Sequence, residues 1–293
     1  MLKNPVIIFL LFLIIGCQQT VKTTNDNTTT HYVTKTYVEV GRLFDSITPP
    51  YIIDLTNGNK RLVFVGCEHQ LPDTHRQFKI IEQYFNELNP QITFNEGGQW
   101  ADSIKFASKK AAILRGGEAA FLKYLSDSIG IKMMNGDMTE KEEFALTSRY
   151  HTQEEWYLYY MIERIVIPYH YETGRKASID SVFSKTTRGY FAKHGFKMTP
   201  EQYSFEHFKK VYEKYLKKPF DINNFDIEAF DYVNDNCHFC AIGRTSKMVR
   251  DSVLLSKIDK AFNQYDRIMV TFGHGHALAV EPALKSIIYK PRD

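Results

Sequence analysis

Three short polar signatures combine residue types that bind metals and move protons: Gly66-Cys67-Glu68-His69, Asn95-Glu96-Gly97-Gly98 and Gly273-His274-Gly275-His276. Imidazole nitrogens and carboxylate oxygens are ligands for divalent cations. Two His and one Glu, here His69, His276 and Glu96, make a three-ligand set that leaves a coordination position open for water. His274 is a further candidate ligand beside His276. Glycines next to these residues let backbone approach a ligand closely. A single Gly-x-x-His is common and more often marks a capping or hydrogen-bonded histidine. Its repetition, with a Glu signature between the two copies, is what gives the pattern weight.

The elements around the signatures decide whether they can meet. Tyr51 to Leu55 and Arg61 to Val65 are β-rich runs joined by a turn with Asn57-Gly58, a strong hairpin signal. Pro72 to Leu88 reads as a helix, with Pro72 in its first turn and Phe78, Ile81, Phe85 and Leu88 at helical spacing. Ile92 to Asn95 is a short strand, Glu118 to Ile129 a helix closed by Gly130, and Ile131 to Met134 another strand. A helix from Thr245 to Asn263, a strand from Arg267 to Phe272 and a final helix after His276 follow. Strands alternating with amphipathic helices predict an α/β fold, a layered sheet with flanking helices. Each signature then falls at a strand end, and sites in such sheets gather outside the carboxyl ends of parallel strands.

Between about residues 139 and 235 helical patterns succeed one another without a convincing strand, which predicts a helical insertion or cap. One stripe there, Phe205, Phe208, Tyr212 and Tyr215, is surrounded by Lys209, Lys210, Lys214, Lys217 and Lys218. It reads as a core stripe with a solvated lysine face; the alternative is a basic face lying on an anionic membrane. Cys237-His238-Phe239-Cys240 has the spacing of half a zinc site but lacks a second pair. A short-loop disulfide and two free thiols are the other readings.

The start of the chain points to export. Lys3 precedes an unbroken apolar run from Val6 to Ile15, about 15 Å long as a helix against about 30 Å of bilayer hydrocarbon, so it suits a signal peptide rather than a span. The run ends at Ile14-Ile15-Gly16-Cys17, which resembles the lipobox of bacterial lipoproteins. That resemblance implies cleavage before Cys17, lipidation of Cys17, and a location in the cell envelope, anchored to a bacterial membrane. Gln18 to Thr36, rich in Thr, Asn and Gln, predicts a flexible tether, with the organised domain beginning near Pro49. The remaining chain of about 277 residues suffices for one large domain with its own core. A net charge of +3, or +2 once Lys3 is removed, gives no sign of nucleic-acid binding.

Taken together, the motifs resemble the TraB/Tiki superfamily, which includes relatives of erythromycin esterase and the ChaN-type lipoproteins. The resemblance rests on Gly66 to His69, Glu96, Gly273 to His276 and an Arg in the helix before the last strand, matched by Arg250 with Arg244 as a competitor. The opening hairpin and the stretch from Gly117-Glu118 to Asp137 also look similar. The first motif departs from the pattern at Cys67-Glu68, the second carries the extra His274, and Asp251 stands where Asn is common.

The resemblance implies a metal-dependent hydrolase, peptidase-like, acting on a peptide or small-molecule substrate. A divalent cation (Mn, Co or Zn) would be held by His69, Glu96 and His276. Glu68 or Glu96, whichever is not a ligand, would serve as general base, and Arg250 would stabilise an oxyanion or hold a substrate carboxylate. Two alternatives come with the family: a metal-free, esterase-like hydrolase, and a ChaN-type lipoprotein that binds haem or iron without turnover, for which His274 and His276 together are the motivation.

Overall fold

The computed structural model describes residues 32–69, 72–172, 177–192, 194 and 196–291; Cys17 and the leader lie outside them. In chain order the main elements are α1 (Tyr37–Leu43), β1 (Tyr51–Asn57), β2 (Lys60–Cys67), α2 (Arg76–Leu88), β3 (Ile92–Asn95), α3 (Lys109–Ser128) and β4 (Lys132–Asn135). The cap helices α4 (Glu140–Thr147), α5 (Gln153–Met161), α6 (Ile167–Tyr171), α7 (Ile179–Thr186) and α8 (Phe205–Leu216) follow. Then come α9 (His238–Ala261), β5 (Arg267–Gly273) and α10 (His274–Tyr289).

The five strands form one sheet in the order β1-β2-β5-β3-β4. β1 and β2 are the expected hairpin, antiparallel, with Asn57 opposite Lys60 across the turn. The other neighbours are parallel, with Cys67 beside Gly273 and Asn95 beside Thr271. β5 returns last and inserts between β2 and β3, so the chain direction across the sheet reverses there. That reversal opens a cleft at the carboxyl ends of β2, β5 and β3, where open α/β sheets bind ligands.

Both sheet faces are covered, as parallel strands require. Leu62, Phe64, Ile92, Phe94, Ile268, Val270 and Phe272 face α9 and α10. The alternate residues Val63, Val65, Cys67 and Met269 face α2 and α3. Every one of these side chains is essentially excluded from water, so apolar burial on two faces fixes the strand register.

The residues between β4 and α9 form the expected helical cap, with no strand among those described. Its own core is dominated by aromatic residues: Trp156, Tyr160, Phe183, Phe191, Phe208 and Tyr212 are all buried. Phe205, Phe208 and Tyr212 of the lysine-flanked helix point into that core, as the core-stripe reading expects. Lys209 and Lys214 pair with Glu206 and Glu154.

Several boundaries differ from the sequence expectation for local reasons. Pro72 does not open α2. Residues 72–75 form a turn closed by His75 N–H to Pro72 O (2.9 Å), and the His75 side chain caps the helix by accepting from Gln77 N–H. α3 begins at Lys109 rather than Glu118, because Ser108 caps an extra stretch before a break at Gly116-Gly117. α9 begins at His238, capped by Cys237, seven residues before the expected start at Thr245. Cys237 and Cys240 are disulfide-bonded.

The organised domain also starts earlier than Pro49. α1 carries a capping box (Thr36 with Glu39) and buries Tyr37 and Val40 against Leu278 and Ala279 of α10. A segment expected to belong to the tether is therefore part of the fold. Thr36, which composition counts with the tether, is its helix cap.

Candidate active site

The loop after β2 is fixed by Gln77, a fully buried side chain of α2. Its amide accepts from Glu68 N–H (2.9 Å) and donates to Glu68 O (2.9 Å). This clamp presents His69 at the mouth of the cleft. Nδ1 of His69 lies 2.5 Å from Glu118 Oε1. Glu118 follows the α3 break directly, and at Gly117 the backbone takes φ +57°, ψ −140°, a conformation reserved for glycine. Bending α3 there turns Glu118 toward His69. The hydrogen bond that His69 donates to Glu118 raises the His69 pKa against the opposing effect of burial, and the negative charges of Glu96 and Glu118 add to it.

Glu96, at the end of β3, stands between the two imidazoles. Its Oε2 accepts from the backbone N–H of Gly273 (2.6 Å) and its Oε1 from a terminal nitrogen of Arg250 (2.5 Å). Burial pushes its pKa up, but Arg250 first, then His276, His69 and the Gly273 N–H, hold it well below the usual carboxylate range. Glu96 is thus an anion at any physiological pH. Nε2 of His69 lies 3.6 Å from Glu96 Oε2, and Nε2 of His276 lies 3.9 Å from Glu96 Oε1.

His276, in the first turn of α10, is buried. Its Nδ1 sits 2.6 Å from Asp251 Oδ1. Tyr37 donates its hydroxyl to Asp251 Oδ2 (2.8 Å), and the Tyr37 hydroxyl oxygen also lies 2.8 Å from His276 Nδ1. Burial, then the charge of Asp251, raises the Tyr37 pKa well above its ordinary value, so the phenol keeps its proton and acts as donor. Nδ1 of His276 is thus held by the Asp251 carboxylate, and Nε2 stands on the cleft side toward Glu96. His69 has the same plan with Glu118 in place of Asp251.

Arg250 is the arginine the cleft uses. It lies in the middle of α9, 7% exposed, and grips Asp137 with two bonds (Nε to Oδ1 2.9 Å, a terminal nitrogen to Oδ2 2.6 Å) besides Glu96. This guanidinium is committed to two carboxylates, so it orients Glu96 rather than waiting for a substrate. Arg244 is directed elsewhere, to the carbonyls of Tyr232, Asn234 and Asp235 in the cap.

Two candidates do not join the cluster. His274 turns away: its Nε2 is 2.9 Å from Ile47 O, and its Nδ1 is buried without a partner. Position in the first turn of α10 explains this, since residues two apart on a helix do not share a face. Glu68 is exposed, and its charge is felt by His274. Cys67 is a buried thiol whose pKa burial raises far above normal, so it is no nucleophile.

A divalent cation fits this donor set. Two ligand atoms on one tetrahedral ion stand about 3.4 Å apart, and the two Nε2-to-Glu96 separations exceed that by a few tenths of an ångström. A methyl placed on Gly273 would fall 3.1 Å from Glu96 Oε2, 3.2 Å from His69 Nε2 and 3.6 Å from His276 Cδ2, so the missing side chain leaves a hollow that all three residues border. Both Nδ1 atoms are held by carboxylates, the arrangement that orients metal-binding histidines. Among the described residues no three His, Cys, Asp or Glu side chains form a ready-made cage, so holding an ion would require these ligands to close in.

Sequence reasoning assigned no role to Tyr37, Gln77, Glu118 or Asp137, and noted Asp251 only as a departure from a family pattern. The Gly116-Gly117 pair before Glu118 was the one local signal that the chain bends there. Compared with family models, with curated proteins and with solved structures, the chain gives no match.

Proposed function

We propose that this protein is a hydrolase of peptide, amide or ester bonds. It works at the cleft between β2, β5 and β3 with a divalent cation held by His69, Glu96 and His276, as a lipid-anchored protein of the bacterial cell envelope. The observation that carries the reading is the placing of two imidazole Nε2 atoms against the two oxygens of one ionised carboxylate, each imidazole backed by its own acid. This is also what the TraB/Tiki-like motifs would require of a working site.

When bound, the cation would polarise the scissile carbonyl and lower the pKa of a water toward neutrality. The chain's own groups do the rest. Arg250 and the Gly273 N–H keep Glu96 charged and aimed into the cleft, and Glu118 and Asp251 hold both imidazoles by Nδ1. His69, half exposed at the mouth, would be held toward the cation by Glu118 on its Nδ1.

A metal-free version has one observation in its favour: each Glu96 oxygen already accepts a strong hydrogen bond, from Arg250 or from Gly273. In that reading Nε2 of His69 is the general base directly. A haem-binding role loses its local basis, because His274 does not stand beside His276 in the cleft.

The test is metal analysis of purified protein together with peptidase and esterase assays, with and without chelator. Stoichiometric metal and chelator-sensitive cleavage, both lost in His69→Ala and His276→Ala, support the proposal. Cleavage that survives chelation selects the metal-free version. Absence of metal and of cleavage with every divalent ion tried refutes both.

A further inference from the structure

We propose that Tyr37 is a positioning residue of this site: its phenol, bonded to Asp251 and in contact with Nδ1 of His276, holds the imidazole so that Nε2 points to Glu96. The proposal assigns the work to α1, a segment outside the α/β sheet and its crossover helices, and it rests on the reading of His276 as a working residue.

Asp251 has two oxygens and two partners, His276 at 2.6 Å and Tyr37 at 2.8 Å. Asp251 and His276 are buried, and each carboxylate oxygen has one close contact. Without the phenol, Oδ2 would be a buried acceptor with no donor, and rotation of the carboxylate about its Cβ–Cγ bond would cost little. An aspartate free to rotate no longer fixes the orientation of the His276 ring, against which the phenol oxygen also rests at 2.8 Å from Nδ1. Tyr37 itself is held firmly. Its ring meets the edge of Tyr232 (centroids 5.4 Å apart) and of His276 (5.9 Å). Two residues before it, the chain is pinned to α10 by Lys35 N–H to Ala279 O (2.9 Å) and by Lys35 Nζ to Glu281 (3.1 Å). The α1 segment therefore docks on the helix that carries His276 and delivers one hydroxyl to that residue's acid.

The arrangement makes the site conditional on the docking of α1. A chain that lost this docking would give up the apolar contact of Tyr37 and Val40 with Leu278 and Ala279 as well as the phenol at Asp251.

The experiment compares the full chain with Tyr37→Phe, which keeps the ring contacts and removes the hydroxyl. Tyr51→Phe is the control, since Tyr51 makes a similar bond to Glu281 (3.1 Å) away from the cleft. Proton NMR at fixed pH reads the hydrogen-bonded Nδ1–H of His276, assigned by its loss in His276→Gln. The signal is expected in the unaltered chain and in Tyr51→Phe, and is expected to broaden or vanish through exchange in Tyr37→Phe. On a hydrolysed substrate, Tyr37→Phe should lower kcat roughly 10- to 100-fold, as loss of a supporting partner typically does, with KM unchanged. Tyr37→Phe added to Asp251→Asn should cost nothing further, because both act through one contact. An Nδ1–H signal absent from the unaltered chain or unchanged in Tyr37→Phe overturns the proposal, as does an additive double variant. The NMR arm needs no substrate, so failure to find hydrolysis would count against the proposed function and leave the positioning role standing on its own readout.

Discussion

Glu118 Oε1 lies 2.5 Å from His69 Nδ1, although the two residues are 49 positions apart and on different elements. The contact exists because α3 breaks at Gly116-Gly117 and resumes with Glu118 aimed at the loop after β2. It makes a specific prediction about pH. Glu118 raises the His69 pKa above its ordinary value of 6.5, so the folded protein holds that proton more tightly than the unfolded chain. The stabilisation is fully present below the ordinary value and is lost as pH rises through the raised one. In metal-free protein, urea midpoints should therefore decline across that window, and Glu118→Gln should flatten the decline. Identical pH dependence in both proteins would contradict the assignment.

Arg250→Lys should damage both fold and function. Lysine cannot reproduce two bonds to Asp137 and one to Glu96 with a planar fork, and a buried carboxylate would be left partly unpaired. A loss of roughly 2–4 kcal/mol is expected, read as a melting temperature lower by roughly 5–10 °C, together with a drop in turnover of about 10²-fold or more. Arg244→Lys should leave turnover unchanged, since Arg244 bonds only cap carbonyls. Turnover lost in Arg244→Lys but kept in Arg250→Lys would reverse the assignment.

Gly273→Ala tests the hollow. The backbone there has φ −56°, ψ 145°, which alanine adopts without strain, so the fold should persist. The new methyl would sit 3.1 Å from Glu96 Oε2 and 3.2 Å from His69 Nε2, inside the space an ion or water would need. Calorimetric titration with Mn, Co or Zn should show at least a tenfold weaker site than in the unaltered protein. Undiminished affinity would mean that metal binds elsewhere or that the cradle is not its seat.

His274→Gln separates the two histidines of the second motif. His274 bonds Ile47 O and faces away from Glu96, so metal binding and turnover should survive, whereas His276→Gln should abolish both. A Soret shift on haem titration that requires His274 would instead revive a haem-binding role.

The sequence by itself determined the layered α/β class, the hairpin at Asn57-Gly58, the strand positions and the helical cap. Each of these is written in local periodicity: apolar runs buried on both sheet faces, turn residues, and amphipathic repeats. It also named His69, Glu96 and His276, because strand ends marked by glycine identify where a cleft would open, while Arg250 came only from the resemblance to a family pattern.

Only the tertiary structure decided which strands are neighbours, and hence that these four residues meet. The insertion of β5 between β2 and β3 depends on the burial of whole faces, which no window of sequence expresses. The supporting residues were hidden for the same reason. Tyr37, Gln77, Glu118, Asp137 and Asp251 are ordinary polar residues on helices and loops, and their roles come from partners distant in the chain. His274 shows the converse: local spacing made it equal to His276, and the first turn of α10 gave the two side chains different directions. Hydrogen bonds between buried groups are satisfied by whatever the fold brings near, so the chemistry of a site is spelled locally while its support is decided globally.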